Sequence, residues 1–137
     1  MPFVAPSKWV QTTSLQDLVL LTKALGDETR LRILALLQDH ELCACQIVAV
    51  FELANSTISK HLAILKQAGL IQSRKQSRWI YFFLTPQPQP EIDAAFVWLN
   101  QCWQADPRLE ADRRKIKDIL QIDPVELCRR QNGKDCC

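Results

Sequence analysis

Residues 55–84 read NSTISKHLAILKQAGLIQSRKQSRWIYFFL, and the change of period inside this stretch decides the fold. Up to Gly69, the apolar residues Ile58, Leu62 and Leu65 stand at i, i+4 and i+7, the stripe of an amphipathic helix. Asn55 or Ser56 caps that helix, which runs to about Ala68, and Gly69 stops it. After Gly69 the segments 70–74 and 78–84 turn strand-like around Lys75-Gln76-Ser77, which predicts a β-hairpin with a basic tip. Upstream, residues 41–51 read as a short apolar helix and Glu52-Leu53-Ala54 as a turn. Two helices, a short turn and a hairpin make a winged helix-turn-helix, mainly α with a β-hairpin in an α+β arrangement.

The helix over 56–68 has the character of a recognition helix, and 70–84 that of a wing. Short hydroxyl and amide side chains at its start can approach base edges, and the positive end of the helix dipole faces phosphate. Ser56, Thr57, Ser59, Lys60 and His61 are the expected groove-lining residues. Ser56 reads equally well as a pure N-cap, and His61 as a partly packed surface residue. Arg74, Lys75 and Arg78 suit backbone or minor-groove contacts, which position rather than specify. From Asn55 to Leu84 there are five Lys and Arg and no Asp or Glu, while the remainder of the chain is net acidic. A basic block on an acidic body is the footprint of a module that touches phosphates, whereas a merely solvated face would mix both signs.

Outward from this unit, residues 1–13 carry Pro2 and Pro6 and read as an arm. From Ser14 the pattern is helical, with Leu15, Leu18, Val19 and Leu25 on one stripe and Leu20 and Leu21 thickening it. So apolar a helix must bury more than one face, as it would against a second subunit. Gly26 ends it, and Asp27 caps a helix over about 28–38. Pro86-Gln87-Pro88-Gln89-Pro90 marks a linker. Ile92, Ala95, Phe96, Leu99 and Trp103 form another helical stripe. Pro107 and Pro124 bracket a charged helix over about 109–121, and the rest reads as a tail ending in Cys136-Cys137. The chain thus divides into an arm (1–13), a winged helix-turn-helix domain with dimerisation helices (14–105), and a C-terminal helix with a cysteine-containing tail (106–137).

Length favours one domain over two, and no apolar run approaches the roughly 20 residues that span a bilayer. The first residues lack the basic and apolar regions of a secretory signal, which places the protein in the cytosol. In that reducing compartment the six cysteines are not expected to form a disulfide framework. Cys102 and Cys128 are adequately explained as small buried hydrophobes. The C-x-C pair Cys43 and Cys45 and the terminal Cys136-Cys137 pair are not. Nothing points to an enzyme: His40 and His61 belong to no triad or zinc-protease pattern, and three glycines cannot build a phosphate-cradling loop.

Residues i and i+2 of a regular α-helix lie about 200° apart, so two helical sulfurs at this spacing cannot face one small ion. An ion gripping both should therefore unwind or tilt the helix start, where the dipole also favours thiolate. That helix supports the recognition helix, so DNA affinity would fall by as much as the ion prefers the distorted state. Thiolates select soft ions.

At these residues the chain resembles the ArsR/SmtB family of metalloregulatory repressors, in its arsenic-responsive branch. The string Glu41-Leu42-Cys43-Ala44-Cys45-Gln46-Ile47 is close to the family's E-L-C-V-C-D-L. It is preceded by Leu25-Gly26-Asp27-Glu28-Thr29-Arg30-Leu31-Arg32-Ile33 and followed by Ser59-Lys60-His61-Leu62-Ala63-Ile64-Leu65, Gly69-Leu70 and Arg74-Lys75-Gln76. The likeness covers roughly 15–85. It implies a homodimer paired through its first and last helices, bound to palindromic operator DNA and released by trivalent arsenic or antimony, with no organic cofactor and no membrane partner. Members of the branch often carry a third cysteine five residues after the first, and here that residue is Val48. Trivalent arsenic favours three thiolates, which leaves Cys102, Cys128, Cys136 and Cys137 as sources of the third. Cadmium- and lead-responsive relatives add cysteines from the N-terminal arm, but residues 1–42 contain none. Zinc-responsive relatives use His and acidic ligands on the last helix, where only Asp93 matches. Cadmium or lead remains the second choice of inducer; a thiol-redox-sensing repressor and an architectural DNA-binding module with incidental cysteines are the readings of a different class.

Overall fold

A computed structural model describes residues 13–132; Cys136, Cys137 and all but the last residue of the arm lie outside that range. Among the described residues, seven helices and three short strands follow in the order α1 (Leu15–Leu25), α2 (Glu28–Leu37), β1 (Leu42–Cys43), α3 (Ala44–Phe51), α4 (Asn55–Gln67), β2 (Ile71–Gln76), β3 (Trp79–Leu84), α5 (Pro90–Cys102), α6 (Pro107–Ile119) and α7 (Pro124–Asn132).

Local chemistry sets most boundaries. Ser14 caps α1 by accepting from the Asp17 N–H at 3.0 Å, and Asp27 caps α2 by accepting from the Arg30 N–H at 3.0 Å. Helix α3 ends at Glu52, whose left-handed backbone (φ 54°) turns the chain toward α4. Helix α4 starts one residue before the expected caps: Ala54 is its N-cap, and Asn55 and Ser56 lie within the helix. At its far end Gly69 adopts φ +83°, and the N–H groups of Gly69 and Leu70 reach back to the carbonyls of Lys66 and Leu65. That paired closure needs a residue free of Cβ strain, and glycine provides it.

Two elements differ from the sequence reading. The segment 41–51 is not one helix. Leu42 and Cys43 form a two-residue strand pairing antiparallel with β3, in register Leu42 with Phe82 and Cys43 with Tyr81. The sheet order is β1-β3-β2, with the hairpin register running from Ile71 opposite Leu84 to Gln76 opposite Trp79. Residues 124–132 are not tail but helix α7. Both C-terminal prolines open helices rather than bracket one, because the first helical turn needs no proline N–H. Asp106 accepts from the Arg108 N–H at 2.8 Å and Asp123 from the Val125 N–H at 2.9 Å, so each Asp-Pro pair is a cap and a first residue.

The core gathers Ile33, Leu34 and Leu36 of α2, Leu42 of β1, Ile47 of α3, Ile58 and Leu65 of α4, then Leu70, Ile71 and Ile116, all fully buried. Each such side chain contributes roughly 1.5–3 kcal/mol of burial. Helix α6 packs on α2 and α3, and α7 on α3, so the C-terminal helices share the core of the winged unit. Asp112 of α6, itself buried, holds Arg32 of α2 through two hydrogen bonds of 2.8 Å. Leu15, Leu18 and Val19 of α1 and Val97 and Trp98 of α5 remain exposed.

Candidate nucleic-acid interface and thiol site

Burying Ile58, Leu62 and Leu65 turns the opposite side of α4 outward, which leaves Asn55, Ser56, Ser59, Lys60 and Ala63 exposed. Thr57 is half-buried. His61 is held against the body: Arg30 Nη1 donates to its Nδ1 at 3.1 Å, and Asp27 Oδ2 lies 3.8 Å from the same nitrogen. Arginine has only donors, so this contact places the ring hydrogen on Nε2. Arg30 is buried and also donates through Nε to the Ala24 carbonyl (2.9 Å) and through Nη2 to the Lys23 carbonyl (2.8 Å). One guanidinium therefore ties the end of α1 to α2 and α4. The sequence quoted Arg30 within a motif but offered no signal for this role.

The hairpin turns at Ser77, which has φ 59°. Lys75 and Arg78 flank that turn and are exposed, with Arg78 stacked over the Trp79 ring at 5.2 Å. Arg74 stands further down β2 and is already engaged. Its Nε donates to Glu41 Oε2 at 3.0 Å, its Nη2 pairs with the same oxygen, and its guanidinium lies over Tyr81 at 5.6 Å. The residue before β1 thus carries the negative charge that occupies a wing arginine.

Cys43 is the N-cap of α3, in extended conformation (φ −83°, ψ 163°). Its N–H donates to Gln46 Oε1 at 3.0 Å, and its sulfur accepts from the backbone N–H groups of Cys45 and Gln46. Burial pushes the Cys43 thiol above the ordinary thiol range, and those N–H groups only partly oppose it. The helical premise for the 200° separation therefore fails: Cys43 lies outside α3, and its sulfur folds back over the first turn, which also carries Cys45.

Cys45 does not stand alone either. It is joined by a disulfide to Cys128 of α7, with the two Cα atoms 5.7 Å apart and both residues buried. The Gln131 amide nitrogen donates to the Cys45 carbonyl at 2.8 Å, one turn further along α7. The expectation that the cysteines build no disulfide framework is corrected for this pair, because α7 packs onto α3 and brings the two residues together. The sequence offers Cys128 only as one of several possible third ligands, because a separation of 83 residues carries no signal for the contact. Cys102, expected to be buried, is free and exposed at the end of α5. Among the described residues, no three His, Cys, Asp or Glu side chains stand assembled as an ion cage.

An outward polar helix face beside a basic hairpin defines a winged helix-turn-helix transcriptional regulator. Residues 27–73 match the family described as bacterial regulatory protein, arsR family. The chain is 42% identical over 117 residues to the arsenical resistance operon repressor of Escherichia coli (strain K12), covering 85% of this chain and 92% of that protein. It is 36% identical over 83 residues to the cadmium resistance transcriptional regulatory protein CadC homolog of Staphylococcus aureus, covering 59% and 69% respectively. The solved structure of HlyU from Vibrio cholerae N16961 superposes with a TM-score of 0.55 at 33% identity, over 64% of this chain and 92% of that one. The chain belongs to the ArsR family of bacterial regulatory proteins. No helix among the described residues is long and apolar enough to cross a membrane.

Proposed function

We propose that this regulator is a homodimeric repressor that lets go of its operator when trivalent arsenic or antimony engages Cys43 and Cys45. One observation carries the reading: Cys43 is at once a buried soft ligand, the cap of α3 and a residue of the strand paired with β3 of the wing. Drawing its sulfur toward an ion strains both the cap and the pairing with Tyr81. The wing and the start of the helix-turn-helix then shift together, and affinity falls by the free-energy difference between the two arrangements.

Ser56, Ser59 and Lys60 approach bases in this reading, and Lys75 and Arg78 meet phosphate. Thr57, His61 and Arg74 take part after smaller adjustments, His61 and Arg74 by exchanging the partners described above. The exposed apolar residues of α1 and α5 form the dimer face. The arsenical repressor of E. coli supports the choice of inducer, and the cadmium regulator of S. aureus keeps cadmium as the competing ion.

Operator gel shifts of the protein, reduced with a phosphine that is then removed, and titrated with arsenite, antimonite, cadmium, zinc and peroxide, test this directly. Arsenite is expected to release wild type and to spare Cys43→Ser and Cys45→Ser; release that survives both substitutions would falsify the proposal. The Cys45–Cys128 bond favours one other reading, a redox-sensing repressor. There, two thiols lose two protons and two electrons to hydrogen peroxide, giving one disulfide and two waters. Release by peroxide alone, with no response to any ion, would select that reading.

A further inference from the structure

We infer that Cys128 of α7 is the third thiolate of the metalloid site, completing a ligand set with Cys43 and Cys45; this rests on the arsenite reading above. Val48 leaves α3 without a third sulfur of its own. The structure delivers one from another helix instead. Cys128 lies with its Cα 5.7 Å from that of Cys45, and α7 is anchored there by Leu127 in the core and by the Gln131 bond to the Cys45 carbonyl. Cys43 turns its sulfur onto the same first turn, where it accepts from the Gln46 N–H. Three buried cysteines therefore meet at the first turn of α3: Cys43 caps it, Cys45 lies in it and Cys128 is bonded to it. Cys102, exposed at the end of α5, shares none of this packing.

The chemistry balances without any change in the oxidation state of arsenic. A phosphine or cellular thiol reductant first supplies two electrons to the Cys45–Cys128 bond, and two protons complete the thiols. Arsenous acid then exchanges three hydroxides for three sulfurs: three As–O and three S–H bonds break, three As–S bonds form, and three waters leave. Neutral thiols are consumed and neutral products formed, so burial that disfavours thiolate does not oppose binding. The consequence for the fold is that the inducer links the wing strand through Cys43, the helix-turn-helix through Cys45 and the C-terminal helices through Cys128.

The test uses the full chain reduced with a phosphine, which does not itself sequester arsenite as dithiols do. Arsenic K-edge absorption counts sulfur neighbours, and thiol titration counts the cysteines that arsenite protects. Wild type is expected to show three sulfurs, Cys128→Ser and Cys128→Ala two. The arsenite needed for half-release should rise in these variants by at least the order of 10–100-fold that loss of an outer-sphere partner costs a metal site. Cys102→Ser and Cys136→Ser/Cys137→Ser should keep three. Operator binding without arsenite confirms that each variant is folded. Cys128→Ala/Val48→Cys, which moves the sulfur one turn along α3 from Cys45, should restore the count. Three sulfurs persisting in Cys128→Ser, or a loss confined to the Cys102 or tail variants, would overturn the inference while leaving the arsenite reading intact. A wild type whose thiols ignore arsenite would overturn both.

Discussion

Arg30 donates to His61 across the helix-turn-helix, 3.1 Å from Nη1 to Nδ1, while its other nitrogens close the last carbonyls of α1. A buried guanidinium thus ties α1 and α4 together through α2. Replacing it with Met keeps bulk but leaves the Ala24 and Lys23 carbonyls without these donors. Arg30→Met is expected to cost about 1–3 kcal/mol, measured by urea unfolding, and to weaken operator binding beyond what lost stability explains. His61→Ala should cost less on both counts, since it leaves α1 capped.

Glu41 pairs with Arg74 on the hairpin. The pair is half-exposed, so its removal should change stability by no more than about 1 kcal/mol. Glu41→Gln frees a positive charge on the wing, and operator affinity is expected to rise. In Arg74→Gln the slope of log affinity against log salt should become shallower by about one, read by fluorescence anisotropy across a salt series. An unchanged slope would place Arg74 away from the DNA.

The raised Cys43 thiol makes a pH prediction with a defined sign. Because the unfolded chain gives up this proton at lower pH than the folded one, the stabilising contribution is complete below the ordinary thiol range. It is lost as pH rises through that range toward the higher folded value. Under reducing conditions the urea midpoint of wild type should therefore fall more steeply through that window than that of Cys43→Ala.

Asp112→Ala leaves Arg32 without its bidentate partner and loosens α6 from α2. A cost of about 1.5–3 kcal/mol is expected for a charged hydrogen-bonded pair, smaller for Asp112→Asn, by denaturant titration. Because α7 follows α6 onto α3, the substitution should also weaken arsenite binding, which calorimetry would measure.

Trp98→Glu places a charge on the exposed apolar face of α5. Sedimentation should show a shift from dimer to monomer and a parallel loss of operator affinity, with the protomer still folded. Retained dimerisation would move the interface elsewhere.

Helix α4 and the hairpin were legible because their apolar periods are strong and Gly69 punctuates the change between them. Asp27 as a cap was equally plain. The strand at Leu42–Cys43 was not, since two residues are too few to show a period and their strand character comes from Phe82 and Tyr81 across the sheet. The same distance in sequence hid the contacts of Arg30 with His61 and of Cys45 with Cys128. Helix α7 was missed for a different reason: proline read as a stop is also the favoured first residue of a helix, and Asp123 before it was the overlooked sign.

Strand β1 has one more consequence. The strand it partly covers reads Trp79-Ile80-Tyr81-Phe82-Phe83-Leu84, six apolar residues in a row with no charge. Segments of this kind, once their edge is open, pair readily with copies of themselves. Leu42 and Cys43 cover part of that edge, and a state that detached them would open it. A form of the protein that moved this small strand is therefore expected to self-associate more readily, which light scattering would measure.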